Sequence, residues 1–169
     1  KSGPLSIIYV GRLHPDKGPL DWINALKSAE EADVDFTATW YGTGPSETDA
    51  RELVDSLGLQ GKVALPGNID DRSEILGALQ SAHIMAFCHL TPESPRCLSE
   101  ALVSGTPIVG YGSSFSRDLV ADNGGGILTE MRPEALAASK AVKIRLMSMV
   151  TGAGGAERRC ASRAASNVR

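Results

Sequence analysis

The sequence predicts an α/β fold in which a parallel sheet of about six strands is covered by helices on both faces. Three observations carry this expectation. Short apolar stretches alternate with amphipathic ones along most of the 169 residues;. Most of the short stretches are apolar throughout, as strands buried on both faces must be. Glycine loops follow the strands, at the carboxyl ends where such sheets bind their ligands.

Leu5–Val10 reads as the first buried strand and residues 11–18 as the loop after it. A helix follows from about Pro19, with Leu20, Ile23 and Leu26 at helical spacing;. Residues 35–41 form the second strand. The turn Gly42-Thr43-Gly44-Pro45 opens a helix with Ser46 as the expected N-cap and Asp49 three residues on;. Leu53, Val54 and Leu57 make its apolar stripe, and Gly58 ends it;. Residues 62–65 are a short third strand, punctuated by Pro66-Gly67-Asn68;. Residues 69–82 carry a helix with Ile75, Leu76 and Leu79 inward. Ile84–Phe87 is the fourth strand, residues 106–110 the fifth and Gly126–Thr129 the sixth. Between the fourth and fifth, Ser94 reads as an N-cap and Pro95 as the first helical position, with Cys97, Leu98, Ala101 and Leu102 on one apolar stripe;. Pro133 starts the last helix. The domain is expected to span residues 1–150. Residues 151–169, from Gly152-Ala153-Gly154-Gly155 into a basic Ala/Ser/Arg tail, are expected to be poorly ordered;.

Composition narrows the function. Hydrophobic residues are 42% of the chain and charged residues 22%, an ordinary balance for a soluble domain;. A formal net charge of −3, with no basic run before the tail, argues against a nucleic-acid partner;. No apolar run is long enough to span a membrane, and no signal peptide is present;. Lys1 in place of Met fits a piece of a longer protein, from which a targeting segment could be missing. Cys88, Cys97 and Cys160 share no metal-ligand spacing and read as reduced thiols of a cytoplasmic protein, with Cys97 as a small apolar residue;.

The chemistry concentrates around the helix that follows Glu93. Its first turn points bare backbone N–H groups and a partial positive charge outward, a place that suits a diphosphate. Glu93 before the helix and Glu100 within it can accept hydrogen bonds from hydroxyls flanking the phosphates;. A diphosphate between hydroxyl-bearing groups describes a nucleotide-sugar. Arg12 and Lys17 add cations on the loop after the first strand, where Gly11 lets the backbone approach a ligand;. Each feature also has a plain structural reading. Arg12 and Lys17 could be ordinary loop cations. Gly42-Thr43-Gly44 could be a tight strand-to-helix turn, since Glu47 stands where a dinucleotide fingerprint has its third glycine;. Arg96 and Glu100, four residues apart, could form a surface ion pair;. His83 reads as structural, while His89 lies close enough to the Glu93 segment to touch a ligand. No histidine stands at metal spacing, and residues 112–116 lack the pattern of a nucleophile elbow;.

Taken in order, Gly11-Arg12-Leu13-His14-Pro15-Asp16-Lys17-Gly18, Gly42-Thr43-Gly44-Pro45, Val63-Ala64-Leu65-Pro66-Gly67, the segment from Glu93-Ser94-Pro95 through Glu100-Ala101 to Gly105-Thr106-Pro107-Ile108-Val109, and Gly125-Gly126 with Pro133-Glu134-Ala135-Leu136-Ala137 resemble the C-terminal, donor-binding domain of GT-B fold glycosyltransferases of the retaining family 4. The resemblance implies a Rossmann-like sheet and transfer of a sugar from a nucleoside-diphosphate donor to an acceptor, in bacterial surface polysaccharide synthesis. It implies that Arg12 and Lys17 grip the diphosphate, that Gly11, Gly42 and Gly44 line the nucleotide pocket, and that Pro66, Gly67 and Asn68 lie against the base. Backbone amides of Ser94, Arg96, Cys97 and Leu98 would meet the phosphates, Pro95 having none to give. Glu93 would hold donor-sugar hydroxyls at the catalytic centre, and Glu100 the ribose. No cofactor or metal is implied. The acceptor-binding N-terminal domain would lie outside this chain, so the chain alone is expected to bind donor weakly and transfer nothing. A cytoplasmic enzyme is implied, with room for peripheral association at the inner membrane face. One departure stands out: Glu93 and Glu100 are one residue closer than the family's usual pair, and Pro92 occupies the usual position. The alternatives are a sugar-nucleotide 2-epimerase domain and a non-catalytic flavodoxin-like binding module.

Overall fold

A computed structural model describes residues 3–92, 95–120 and 125–138. Six parallel strands make one sheet: β1 (Leu5–Val10), β2 (Phe36–Tyr41), β3 (Val63–Gly67), β4 (Ile84–Phe87), β5 (Ile108–Tyr111) and β6 (Gly126–Thr129), in spatial order β3-β2-β1-β4-β5-β6. Right-handed crossovers that run leftward from β1 and rightward from β4 put their helices on opposite faces. One layer holds α1 (Pro19–Glu31) against α2 (Glu47–Ser56) and α6 (Pro133–Ala137). The other holds α3 (Arg72–Ser81) against α4 (Arg96–Val103). α5 (Ser114–Val120), a seven-residue helix absent from the sequence expectation, packs on β6. The sheet and its double covering agree with the sequence expectation. The flavodoxin-like alternative fails on strand order, because that fold runs 2-1-3-4-5;.

The core follows from position in the sheet. β1 is central, and Leu5, Ile7, Ile8 and Tyr9 are all buried. Trp22 on α1 donates through Nε1 to the Ala86 carbonyl at 3.1 Å and meets Trp40 of β2 edge-on, with ring centroids 5.3 Å apart. Tyr9 tilts against the same Trp40 at 4.0 Å. Such aromatic pairs contribute about 0.5–1.5 kcal/mol beyond simple burial. The buried stripe of α1 is Trp22, Ile23, Ala25, Leu26 and Ala29, so Leu20, expected inside, is 38% exposed.

Other boundaries moved for local reasons. Helix α3 begins at Arg72, not residue 69, because the Asp71 carboxylate caps it by accepting from Ser73 N at 2.8 Å. Ser46 precedes α2 but its hydroxyl caps nothing; its amide is instead spent on the Leu13 carbonyl at 2.9 Å. Pro95 is the N-cap of α4 rather than its first helical residue, with extended backbone and a carbonyl that accepts from Leu98 N at 3.2 Å. Pro66 and Gly67 belong to β3 rather than to the turn after it. β3 is an edge strand, and its pairing with β2 shifts register between Thr39 and Tyr41, which accommodates a residue without an N–H;. Thr106 stays out of β5 because its hydroxyl donates to the Leu79 carbonyl at 2.5 Å, tying the end of α4 to α3. Glu93, Ser94, Cys160, the 150/151 boundary and the tail 151–169 lie outside the described residues.

Candidate functional site at the switch of the sheet

Strand order reverses between β1 and β4, so the connections leaving those two strands diverge to opposite faces and leave a crevice at the carboxyl edge;. The β1 wall is stitched to its neighbours through the backbone. Gly11 N donates to Tyr41 O at 2.9 Å, Leu13 N to Thr43 O at 2.9 Å, and Gly42 N to Gly67 O at 2.8 Å. Trp40 adds its Nε1–H to the Gly11 carbonyl at 2.8 Å. The approach is so close at Gly42 (φ 144°) that a Cβ there would stand 2.0 Å from the Gly11 carbonyl oxygen. Gly11, Gly42, Gly44 and Gly67 are thus brought together by three adjoining loops, and Pro66 and Asn68 flank Gly67 in the chain.

Inside the first loop, Pro15–Lys17 forms a short 3₁₀ turn where the sequence predicts only loop. His14 begins it, accepting through Nδ1 from Asp16 N at 3.3 Å. Gly18 ends it at φ 61°, pressed so close to β4 that a Cβ would lie 2.2 Å from the Cys88 carbonyl oxygen. Leu90 N closes the crevice floor by donating to Asp16 O at 2.9 Å. The turn separates the two cations. Lys17 is only 9% exposed, whereas Arg12 is exposed on the rim.

The opposite wall is α4. Cys97 and Glu100 are one turn apart on it, and Leu98 is buried against the sheet. Burial pushes the Cys97 thiol up to about 11, and the Tyr9 hydroxyl and the Lys17 ammonium pull the other way while the Glu100 charge adds to the rise. Lys17 on the first loop and Glu100 on α4 are thus both within electrostatic reach of Cys97. This thiol stays protonated at neutral pH, as a small packing residue does. Under it, Tyr9 Oη and His89 Nε2 share a hydrogen bond of 2.5 Å. His89 is buried against the Tyr9 and Phe87 rings, so it builds the floor and is not a surface contact. His83 is structural, accepting from Ser6 N through Nδ1 at 2.8 Å.

The Arg96–Glu100 ion pair is not formed. Glu100 Oε1 instead accepts from Arg72 Nη2 at 3.0 Å, across from the first residue of α3. Arg96 is exposed. Local spacing could not find Arg72, which is 28 positions away in the sequence. The only signal was that two helices on one face of the sheet must have neighbouring first turns. Among the described residues, no group of three or more His, Cys, Asp or Glu side chains could hold a metal ion.

A sequence model of the family described as "Glycosyl transferases group 1" matches residues 1–146. The chain belongs to that family. A protein of Escherichia coli strain K12 described as a colanic acid biosynthesis glycosyltransferase, WcaL, is 32% identical over 141 residues, covering 79% of this chain and 34% of that one. The pneumococcal O-GlcNAc transferase GtfA, solved with UDP and GlcNAc, superposes with a TM-score of 0.74 at 18% identity, over 96% of this chain and 32% of that one. Anabaena Alr3699/HepE, solved with UDP, gives 0.71 at 23% identity, over 86% and 40%. These superpositions show the shared GT-B type of fold. The chain spans about a third of the length of the curated relatives it matches. Among the described residues, no helix is long and apolar enough to cross a membrane.

Proposed function

We propose that this chain is the C-terminal, donor-binding domain of a family 4 retaining glycosyltransferase that uses a nucleoside-diphosphate sugar. The observation that carries the reading is the placing of the Lys17 loop and the first turn of α4, with Glu100 one turn further on, at the switch of the sheet, where Lys17 and Glu100 both act electrostatically on Cys97. A diphosphate seated there meets the Lys17 side chain, the exposed guanidinium of Arg12 and the amides of Arg96 and Cys97 at the helix start; the Leu98 amide, also expected there, is spent on the Pro95 carbonyl at 3.2 Å;. As the glycosidic bond breaks, charge grows on the departing diphosphate, and fixed positive groups aimed at it lower the barrier. Glu100 takes the ribose hydroxyls, Glu93 those of the sugar, and the edge formed by Gly11, Gly42, Gly44, Pro66, Gly67 and Asn68 takes the nucleoside. The acceptor binds a second domain, outside this chain. The UDP in the crystals of GtfA and HepE, and the colanic acid biosynthesis named for WcaL, support a nucleotide-sugar donor and a role in polysaccharide assembly.

Calorimetric titration of UDP and GDP into the chain tests the reading. Charge-assisted hydrogen bonds contribute roughly 1.5–3 kcal/mol, so Arg12→Ala and Lys17→Ala are each expected to weaken binding by about 10- to 100-fold. Unchanged nucleotide affinity in both variants overturns it.

A further inference from the structure

The contact between Arg72 and Glu100 has no evident part in stability. Arg72 is 72% exposed and Glu100 27%, and ion pairs this open to water contribute little;. Its geometry is nonetheless selective. Arg72 directly follows Asp71, the nearest carboxylate in the chain, yet does not pair with it. The Asp71 carboxylate is engaged by Ser73, whose amide and hydroxyl both donate to Oδ1, at 2.8 and 2.7 Å. These bonds hold the Asp71 carboxyl below its ordinary range, so it stays ionised and capped at neutral pH. The guanidinium turns across the gap between α3 and α4 and meets Glu100 through Oε1 alone. Among the described residues, Oε2 takes no hydrogen bond.

We infer that Arg72 is a positioning residue for ribose recognition: it anchors one oxygen of Glu100 and so orients the other to accept from the neighbouring hydroxyls of a nucleotide ribose. This rests on the donor-binding reading above. A glutamate left to itself samples several rotamers, and each contact it makes must offset that freedom. A guanidinium on one oxygen removes part of it before the ligand arrives, and leaves the carboxylate's remaining lone pairs for the diol. The residue comes from a different helix than the carboxylate it serves, so the packing of α3 on α4 sets the angle.

The test is a titration of UDP and 2′-deoxy-UDP, and of GDP and 2′-deoxy-GDP, into the wild-type chain and into Arg72→Ala, Arg72→Lys and Glu100→Gln. Arg72→Ala is expected to lower ribonucleotide affinity by about two- to fivefold, to leave deoxynucleotide affinity nearly unchanged, and to leave the melting temperature where it was. The ribo-to-deoxyribo ratio therefore falls. Arg72→Lys is expected to recover part of that ratio. A ratio lost in Glu100→Gln but intact in Arg72→Ala overturns the role of Arg72 and keeps the ribose role of Glu100. Absence of any ribo-to-deoxyribo preference in the wild-type chain, or a preference untouched by Glu100→Gln, overturns both.

Discussion

The two walls of the crevice are built from different material. The β1 wall is backbone: three loops joined amide to carbonyl, with glycine wherever two chains nearly touch. The α4 wall is side chain: Cys97 and Glu100 on an eight-residue helix, and Arg72 reaching from the next helix. A change in the first wall must move main chain, so it acts on folding. A change in the second alters charge and reach while leaving the main chain in place. The division says which substitutions report on stability and which report on ligand.

The largest effect expected from this contrast is at Gly42. Ala there puts a Cβ against the Gly11 carbonyl from a left-handed backbone, and the chain is expected to lose about 3 kcal/mol or more, read from urea unfolding;. A loss near zero would mean that the loops yield and that the wall is not rigid. Next is the response of the α4 wall to base. The Cys97 thiol has its pKa raised from 9.0 to about 11, so the folded chain keeps a proton that the unfolded chain has released. That advantage is complete below about pH 9 and disappears as pH rises to about 11, a change of about 2 kcal/mol. The burial of Cys88 raises its thiol too, and acts in the same direction. Melting temperature measured across this window should fall, and Cys97→Ala should flatten part of the slope. An equally steep slope in Cys97→Ala would show that Cys97 is not buried as described. The smallest effect is at Gly77 on α3, the helix that carries Arg72. A Cβ there meets nothing within 4 Å. Gly77→Ala should stabilise the chain by about 0.5–1 kcal/mol through helix propensity alone. Destabilisation would show that α3 is packed more tightly on that side than its open surroundings imply.

How legible all this was in the sequence depends on how far apart the interacting groups lie. The six strands and the alternation were readable because each rests on a local period: Leu5–Val10 and Ile84–Phe87 are apolar throughout, and the helices between carry stripes. Element ends were less so. Asp71 captured the start of α3 with its carboxylate, and Thr106 was drawn out of β5 by the Leu79 carbonyl, both through side-chain bonds that periodicity does not register. At the site, Gly42 and Lys17 could be flagged by residue type and loop. Whether Lys17 was a solvated cation or a buried one could not, because it belongs to a 3₁₀ turn begun by His14 and packed against the chain that leaves β4, at Cys88 and Leu90. The Arg72 contact was out of reach for the same reason: the cation nearest in sequence to Glu100, Arg96, lost to one placed by the packing of α3 on α4.

The burial of Lys17 has a kinetic and thermodynamic corollary. A lysine in water explores many torsional states, and a ligand that recruits it must freeze them on arrival. Here the side chain is almost wholly buried, so the fold has already removed part of that freedom;. On the donor-binding reading proposed above, less ordering is then left to set against the attraction when a ligand arrives.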